Sequence, residues 1–154
     1  MATNYDADDF TQNPHNGEYG NKSAIVGQFA NLNGNAGTAA AGDTFDLVKI
    51  PAGAKVVAGF LFSTQLTGTA TYVIGVKAAD GTSTVAAPGT GTAVLLYGTA
   101  GTLSAGAYQT VTLRFKPFVN DFDTIAYATI TGATPLAAND NLGIVLDYIA
   151  EGTK

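Results

Sequence analysis

The sequence predicts an all-β fold: an antiparallel β-sandwich of eight strands, arranged as a jelly roll, with an extended N-terminal arm. Seven short segments alternate apolar and polar residues with a period of two, as half-buried strands do. Turn residues (Gly, Pro, Asn and Thr) separate these segments. No segment has the 3.6-residue apolar period of an amphipathic helix, so the pattern favours two packed sheets.

The first three predicted strands lie in the N-terminal half of the chain. Segment 24–30 alternates two sets of small and apolar side chains, and a loop of small residues, 31–42, follows it. In segment 43–50 the alternation slips at Val48, which predicts a β-bulge or a strand end buried on both faces. A Pro-Ala-Gly-Ala turn leads into segment 55–63, the most apolar strand. Its two sides are expected to carry Val57, Gly59 and Leu61, and Val56, Phe60 and Phe62.

The remaining predicted strands follow the same pattern. Segment 69–78 places three large apolar residues on one side, and an Asp-Gly turn follows it. Segment 93–97 is short and apolar, so a strand and a helical turn both remain open. Segment 108–116 has the cleanest alternation and ends at a proline. Segments 124–131 and 142–150 complete the seven firm strands, and 93–97 is the eighth.

The composition is poor in charge. Charged residues make up 12% of the chain, whereas Ala, Thr and Gly occupy 66 of the 154 positions. The outer strand faces carry these three residues where a monomer would carry Lys and Glu. Because interface cores are depleted in charge, we expect much of this surface to pack against copies of the chain or a partner. The alternative is that Thr and Ala only fill strands.

Several classes of protein are excluded by the composition. The chain has no Cys, so disulfide scaffolds, Cys-ligated metals and cysteine nucleophiles are excluded. Seven Lys and Arg are scattered singly among twelve acids, which argues against a nucleic-acid partner. The longest strongly apolar stretch, 56–62, is too short to cross a membrane. The acidic first residues do not resemble a signal peptide, so we expect synthesis and folding in a cytoplasm.

Residues 1–22 are predicted to form a polar acidic arm, separate from a β-sandwich domain of residues 23–154. The arm shows no apolar period and cannot bury enough surface to order by itself. A frayed terminus is one interpretation. The other is an arm that orders on a neighbouring subunit, because aromatic side chains anchor interfaces. On this second interpretation the partner-binding residues are Tyr5, Asp8, Asp9, Phe10 and Tyr19.

No catalytic residue, metal site or cofactor is predicted, and we expect that the chain is not an enzyme. His15 is the only histidine, and it lies in a turn-rich run of the arm, where no packed structure holds a catalytic base. For Asp121 and Asp123, solvated turn carboxylates are expected and a calcium ion is the alternative, although an EF-hand loop is absent. The Gly-rich runs lack the ending of a phosphate-binding loop.

A carbohydrate- or receptor-binding module, as in a fibre or adhesin, is the alternative function. Sandwich folds often carry sugar sites, which usually need exposed aromatic side chains. The chain has no Trp, so tyrosines would have to form the sugar platform. The candidates are Tyr5, Tyr19, Tyr97 and Tyr108.

Segment 43–56, with Gly59 after it, resembles a stretch found in small virion proteins of tailed bacteriophages. There a strand, a Pro-x-Gly-Ala turn and a second apolar strand precede a Thr-rich strand with glycine, here 69–76. The terminal segment 142–149, with its Asp-Tyr pair, also fits. The resemblance covers roughly residues 43–80 and 124–150.

The resemblance implies a capsid decoration (cement) protein or a minor structural protein of the virion, with a β-sandwich fold. Such a protein sits on the capsid surface, is often a homotrimer, and bridges and stabilises neighbouring subunits of the major capsid protein. Many weak contacts suffice for this role, because multiple copies raise avidity. A tail or joining position remains open.

Overall fold

The structure is a computed structural model of the chain. It describes residues 4–6, 22–29, 41–63, 70–85, 93–95, 101–103, 108–110, 119–133 and 140–150. Every helix or strand assigned in these ranges is a β-strand, which confirms the predicted all-β class, and none of them contains a helix that could span a membrane. The strands are β1 (Asn4–Asp6), β2 (Lys22–Phe29), β3 (Thr44–Ile50), β4 (Ala54–Phe62), β5 (Ala70–Ala78), β6 (Ala93–Leu95), β7 (Gly101–Leu103), β8 (Tyr108–Thr110), β9 (Thr124–Ala133) and β10 (Leu142–Ala150).

The strands form two sheets, as the sequence predicts for a sandwich. The six-stranded sheet has the order β1-β3-β9-β5-β6, and β7 also pairs with β5. The four-stranded sheet has the order β2-β10-β4-β8. The described pairs are antiparallel except β1 with β3, which is parallel.

The antiparallel pairs are nested along the chain. β2 pairs with β10, β3 with β9, β4 with β8, and β5 with β6. Successive strands from β2 to β5 therefore lie alternately in the two sheets. The turn between β3 and β4 carries the chain across: Gly53 has a φ of 74°, which suits glycine, and the Ala54 N–H donates to the Pro51 carbonyl at 3.2 Å.

The core lies between the inner faces of the two sheets. The three large apolar residues predicted to share one side of β5 are buried there, and so are Leu142, Ile144, Leu146 and Tyr148, which alternation predicts to share one face of β10. Each large apolar side chain that is fully buried contributes about 1.5–3 kcal/mol. The largest fully buried side chains are Tyr72, Phe45, Leu47, Leu61, Ile74, Ile130, Ile144, Leu146, Val48 and Val76.

β3 contains the predicted irregularity. Its pairing with β9 shifts between Asp46 and Val48, so the register skips Leu47 and a β-bulge forms. The Leu47 carbonyl approaches Gly27 of β2, where a Cβ would lie 2.0 Å from that oxygen. β2, at the edge of the four-stranded sheet, therefore closely approaches β3 of the other sheet.

β4 departs from the predicted assignment of its faces. Its register with β10 shifts between Asp147 and Tyr148 and skips Val57. Val56 is buried, whereas Val57 is half-buried. The prediction that Val56 shares a side with Phe60 was wrong, because the bulge at Val57 reverses the alternation and Val56 is buried while Phe60 is exposed.

Other strands were missed or left open by the sequence pattern. β1 lies inside the predicted arm, and neither β1 nor β7 was predicted. In the segment 93–97, for which a strand and a helical turn were both open, Ala93–Leu95 form the strand β6, and residues 96–97 lie outside the described residues. β8 lies at the start of the predicted strand 108–116, of which residues 111–116 lie outside the described residues. The eight-stranded jelly roll stays a prediction.

Candidate assembly surface

Apolar residues align across three strands on the outer face of the four-stranded sheet. Val145 of β10 pairs with Val26 of β2 on one side and with Phe60 of β4 on the other. Because paired residues project from the same face, the three form a row, called the apolar row below. Val26 is 52% exposed, Phe60 is 41% exposed, and Val145 is half-buried. Exposed apolar patches of this kind mark interaction sites.

A second phenylalanine extends the apolar row along β4. Phe62 follows Phe60 on the same face, and the two ring centroids lie 6.5 Å apart with a 54° angle between the planes. Phe62 is paired with Gly143 of β10, and a Cβ at Gly143 would lie 2.2 Å from the ring. The glycine therefore leaves room for the Phe62 ring to lie across β10.

The charged side chains that the structure describes on this face lie toward one end of it. Among its described side chains on β2, β4 and β10, the charged ones are Lys55 and Asp147, both half-buried. The register places Lys55 opposite Ile149 and Asp147 opposite Ala58, away from Phe62. This face is poor in charge, as predicted, but Val and Phe rather than Thr and Gly give it its apolar character. It is the candidate assembly surface.

On the outer face of the six-stranded sheet, a tyrosine, an aspartate and a lysine pack against one another. Tyr127 of β9 is paired with Asp46 of β3 and with Gly75 of β5. The Lys77 Nζ lies 2.6 Å from the Asp46 Oδ1 and 5.4 Å from the centroid of the Tyr127 ring. Asp46 is 3% exposed. Burial, and to a lesser extent the Asp46 carboxylate, raises the pKa of the Tyr127 hydroxyl.

Threonine hydroxyls on the same face bond to neighbouring protein groups. Thr131 donates to the Thr71 Oγ1 at 3.2 Å, and Thr71 donates to the Gly132 carbonyl at 3.0 Å. These bonds cross between β5 and β9 and provide partners for polar groups. The two outer faces thus differ, since polar side chains of the six-stranded sheet pair with one another.

Asp123 fixes one end of the six-stranded sheet. Its Oδ2 lies 2.6 Å from the Lys49 Nζ, its Oδ1 accepts the Ala52 N–H at 3.0 Å, and its carbonyl accepts the Ala79 N–H at 3.0 Å. The hydrogen bond from Lys49 is the largest cause of a lowered pKa of the Asp123 carboxyl. Both carboxylate oxygens thus contact protein donors, which disfavours the calcium alternative. The described residues contain no group of three or more His, Asp or Glu able to hold a metal.

The predicted partner-binding residues lie almost entirely outside the described ranges. Tyr5 is in β1, where its backbone is in register with Phe45. Asp8, Asp9, Phe10 and Tyr19 lie outside the described residues. The same is true of His15 and Tyr97, whereas Tyr108 begins β8. The roles predicted for these residues stay predictions.

The apolar row was not recognised from the sequence. The alternation of β2 places Val26 and Ile25 on opposite faces of the strand, so the sequence could have indicated that one of these two apolar residues points away from the core. The alignment of Val26 with Val145 and Phe60 depends on the pairing of distant strands, which alternation within one strand does not determine.

The fold is similar to that of chains in two solved structures. One belongs to the capsid of Ralstonia phage GP4, with a TM-score of 0.70 and 20% sequence identity, over 98% of this chain and 99% of that chain. The other belongs to the Cyanophage Pam1 capsid asymmetric unit, with a TM-score of 0.50 and 22% identity, over 90% of this chain and 91% of that chain. No protein-family model and no curated protein matches the sequence.

Proposed function

We propose that this chain is a non-enzymatic structural protein of a phage virion, and specifically a capsid cement protein. The observation that carries the proposal is the similarity of nearly its whole length to a chain in the capsid of Ralstonia phage GP4. The exposed apolar row supports an assembly role, because a charge-poor strip of this kind suits a covered interface.

The strand order supports a jelly-roll arrangement within this proposal. If β1 and β7 are set aside, eight strands remain, four in each sheet, with the orders β2-β10-β4-β8 and β3-β9-β5-β6. Their nested pairing is that of one long antiparallel ribbon folded across two sheets. Jelly rolls of this size are common in viral capsid domains.

We place the contact with the capsid on two parts of the chain. The candidate assembly surface would pack against the major capsid protein, and the acidic arm would reach basic patches on it through Asp8 and Asp9, with Tyr5, Phe10 and Tyr19 as anchors. A homotrimer on the capsid surface would present three such sites at once. Three modest contacts then give strong retention through avidity.

The chemistry of the described acids fits a structural role. Asp46 and Asp123 each form an ion pair with a lysine of the same sheet. Asp80 accepts hydrogen bonds from Thr82 and Ser83, with the Ser83 side-chain bond the largest cause of a pKa lowered to about 2. These carboxylates stabilise turns and faces of the sandwich.

Binding to heads that lack the protein tests the proposal. The test variant is Val26→Thr combined with Phe60→Thr, which puts a β-branched residue with high strand propensity at both positions and removes the two exposed apolar side chains of the row. Its control is Val73→Thr, a half-buried valine on the six-stranded sheet. We expect occupancy of the double variant to fall at least tenfold, while the control binds normally and both keep the wild-type unfolding midpoint within a few degrees.

The outcomes separate the parts of this proposal. Wild-type protein that does not bind heads would overturn the cement function. Heads that bind the double variant as well as wild type would remove the candidate assembly surface. Deletion of residues 1–21 with unchanged occupancy would remove the role of the arm.

A further inference from the structure

β1 is the exceptional strand of the fold. It contains three residues, and it is the parallel partner of β3 in an otherwise antiparallel set of described pairs. Parallel pairs are slightly less stable per residue than antiparallel ones. The strand is thus weakly held on the edge of β3 that it occupies.

The register of β1 aligns two acidic positions. Asp6 is the partner of Asp46, so two acidic residues occupy neighbouring positions on adjacent strands. Like charges at such positions destabilise strand pairing. Lys77 lies 2.6 Å from the Asp46 Oδ1, so the acid at this position of β3 already has a cation from its own sheet.

The connection after β1 is long. Residues 7–21 separate β1 in the six-stranded sheet from β2 at the edge of the four-stranded sheet. A chain of that length spans up to about 50 Å when extended, which exceeds the width of a small domain. The same three residues can therefore reach the β3 edge of a neighbouring molecule.

We propose that β1 is exchanged between copies of this chain, so that residues 4–6 of one copy pair with Thr44, Phe45 and Asp46 of the next. The exchanged pair has the same contacts as the pair within one chain, so the exchange changes the free energy of the strand pairing little. Each copy donates one strand and receives one, and such head-to-tail contacts close into a ring of three when copies are related by a threefold rotation. The inference rests on the proposed assembly into trimers and names the segment that links them.

Disulfide trapping tests the exchange, since the chain has no cysteine of its own. Asn4 and Thr44 are register partners, and adjacent strands lie about 4.8 Å apart, within the range that a disulfide bridges. Asn4→Cys and Thr44→Cys single variants with tags of different size are co-expressed and oxidised. Asn4→Cys with Ala24→Cys, an exposed position on the other sheet, is the control pair.

We expect a disulfide-linked heterodimer from the test pair on a non-reducing gel, at least fivefold more abundant than from the control pair. The double variant Asn4→Cys, Thr44→Cys should give covalent species up to the trimer. Closure only within single chains, or no disulfide at these positions, would overturn the exchange. Head binding is measured separately: binding without cross-links removes the exchange alone, and cross-links without binding remove the cement function alone.

Discussion

Asp46 occupies an outward-facing strand position, yet only 3% of it is exposed. A carboxylate buried without a cation destabilises a fold by several kcal/mol, so its partner decides whether the position is tolerated. Lys77 supplies the cation at 2.6 Å, and the same ammonium group lies 5.4 Å from the Tyr127 ring centroid. One lysine thus serves two neighbours, and this part of the six-stranded sheet is covered with very few charges.

Asp123 leads to a prediction about acid stability. Its pKa is lowered in the folded state, chiefly by the hydrogen bond from Lys49, so its contribution is complete above the unfolded pKa of about 3.9 and is lost as the pH falls through the folded pKa. Both side chains are about one-third exposed, with fractions of 30% and 35%, so solvent weakens the pair. We expect Asp123→Asn to lower the free energy of unfolding by about 1 kcal/mol at pH 7.

Urea unfolding at pH 7 and at pH 2 checks this expectation. The difference between wild type and Asp123→Asn should narrow on acidification, because the wild-type carboxylate takes up a proton as the pH falls through its folded pKa. Lys49→Met should cost a similar amount at pH 7, and the double variant should cost less than the two single losses together. A difference that persists unchanged at pH 2 would contradict the ionic origin of the effect.

At the scale of elements, two glycines allow close approaches of different kinds. Gly27 of β2 lies against the backbone carbonyl of Leu47, so the contact joins the two sheets. Gly143 of β10 lies under the ring of Phe62, a contact within one sheet and on its outer face. A ring at the surface can turn aside, whereas a carbonyl in a bulge of β3 cannot move without its strand.

Alanine substitutions at these two positions should therefore lower the free energy of unfolding by different amounts. A Cβ at Gly27 would lie 2.0 Å from the Leu47 oxygen, and we expect Gly27→Ala to destabilise the fold by about 3 kcal/mol, as in severe overpacking. Gly143→Ala should cost less than about 1.5 kcal/mol, because the Phe62 ring can rotate. Denaturant unfolding of both variants measures the difference. Equal losses would mean that the sheets can separate at the corner between β2 and β3.

Sequence patterns predicted some elements well because the decisive information lies within one strand. The bulge of β3 was visible as a slip of the alternation at Val48, since its own side chains are buried on both sides of the slip. The alternation of the sequence did not show the bulge of β4. Val56 and Val57 are identical residues, and only the pairing with β10 decides which of them faces the core.

The candidate assembly surface was predictable only in its general character. Low charge indicated a covered face, but the apolar row arises from registers that join β2, β10 and β4. Val26 and Val145 are 119 positions apart in the sequence, so no local pattern relates them. β1 was missed for the same reason, because a three-residue segment has no period to detect and is defined by its partner.

At the scale of the whole molecule, the nested pairing sets the order in which contacts can form. Residues 79–92 join β5 to β6, whereas β2 and β10 close a much longer loop that includes nearly the entire domain. The entropy lost on closing a loop rises with its length. Inner pairs of the ribbon are therefore expected to form first, and the outer pair last.

This order predicts how two core substitutions change the folding kinetics. Ile74→Ala in β5 and Leu146→Ala in β10 each remove a fully buried side chain and should cost about 2–5 kcal/mol. Ile74→Ala should mainly slow folding, because β5 belongs to the inner part of the ribbon, and Leu146→Ala should mainly speed unfolding. Stopped-flow refolding and unfolding in urea measure both rates, with wild-type folding expected on a timescale of milliseconds to seconds. If Leu146→Ala slows folding more than Ile74→Ala does, the outer pair forms early and the proposed order is wrong.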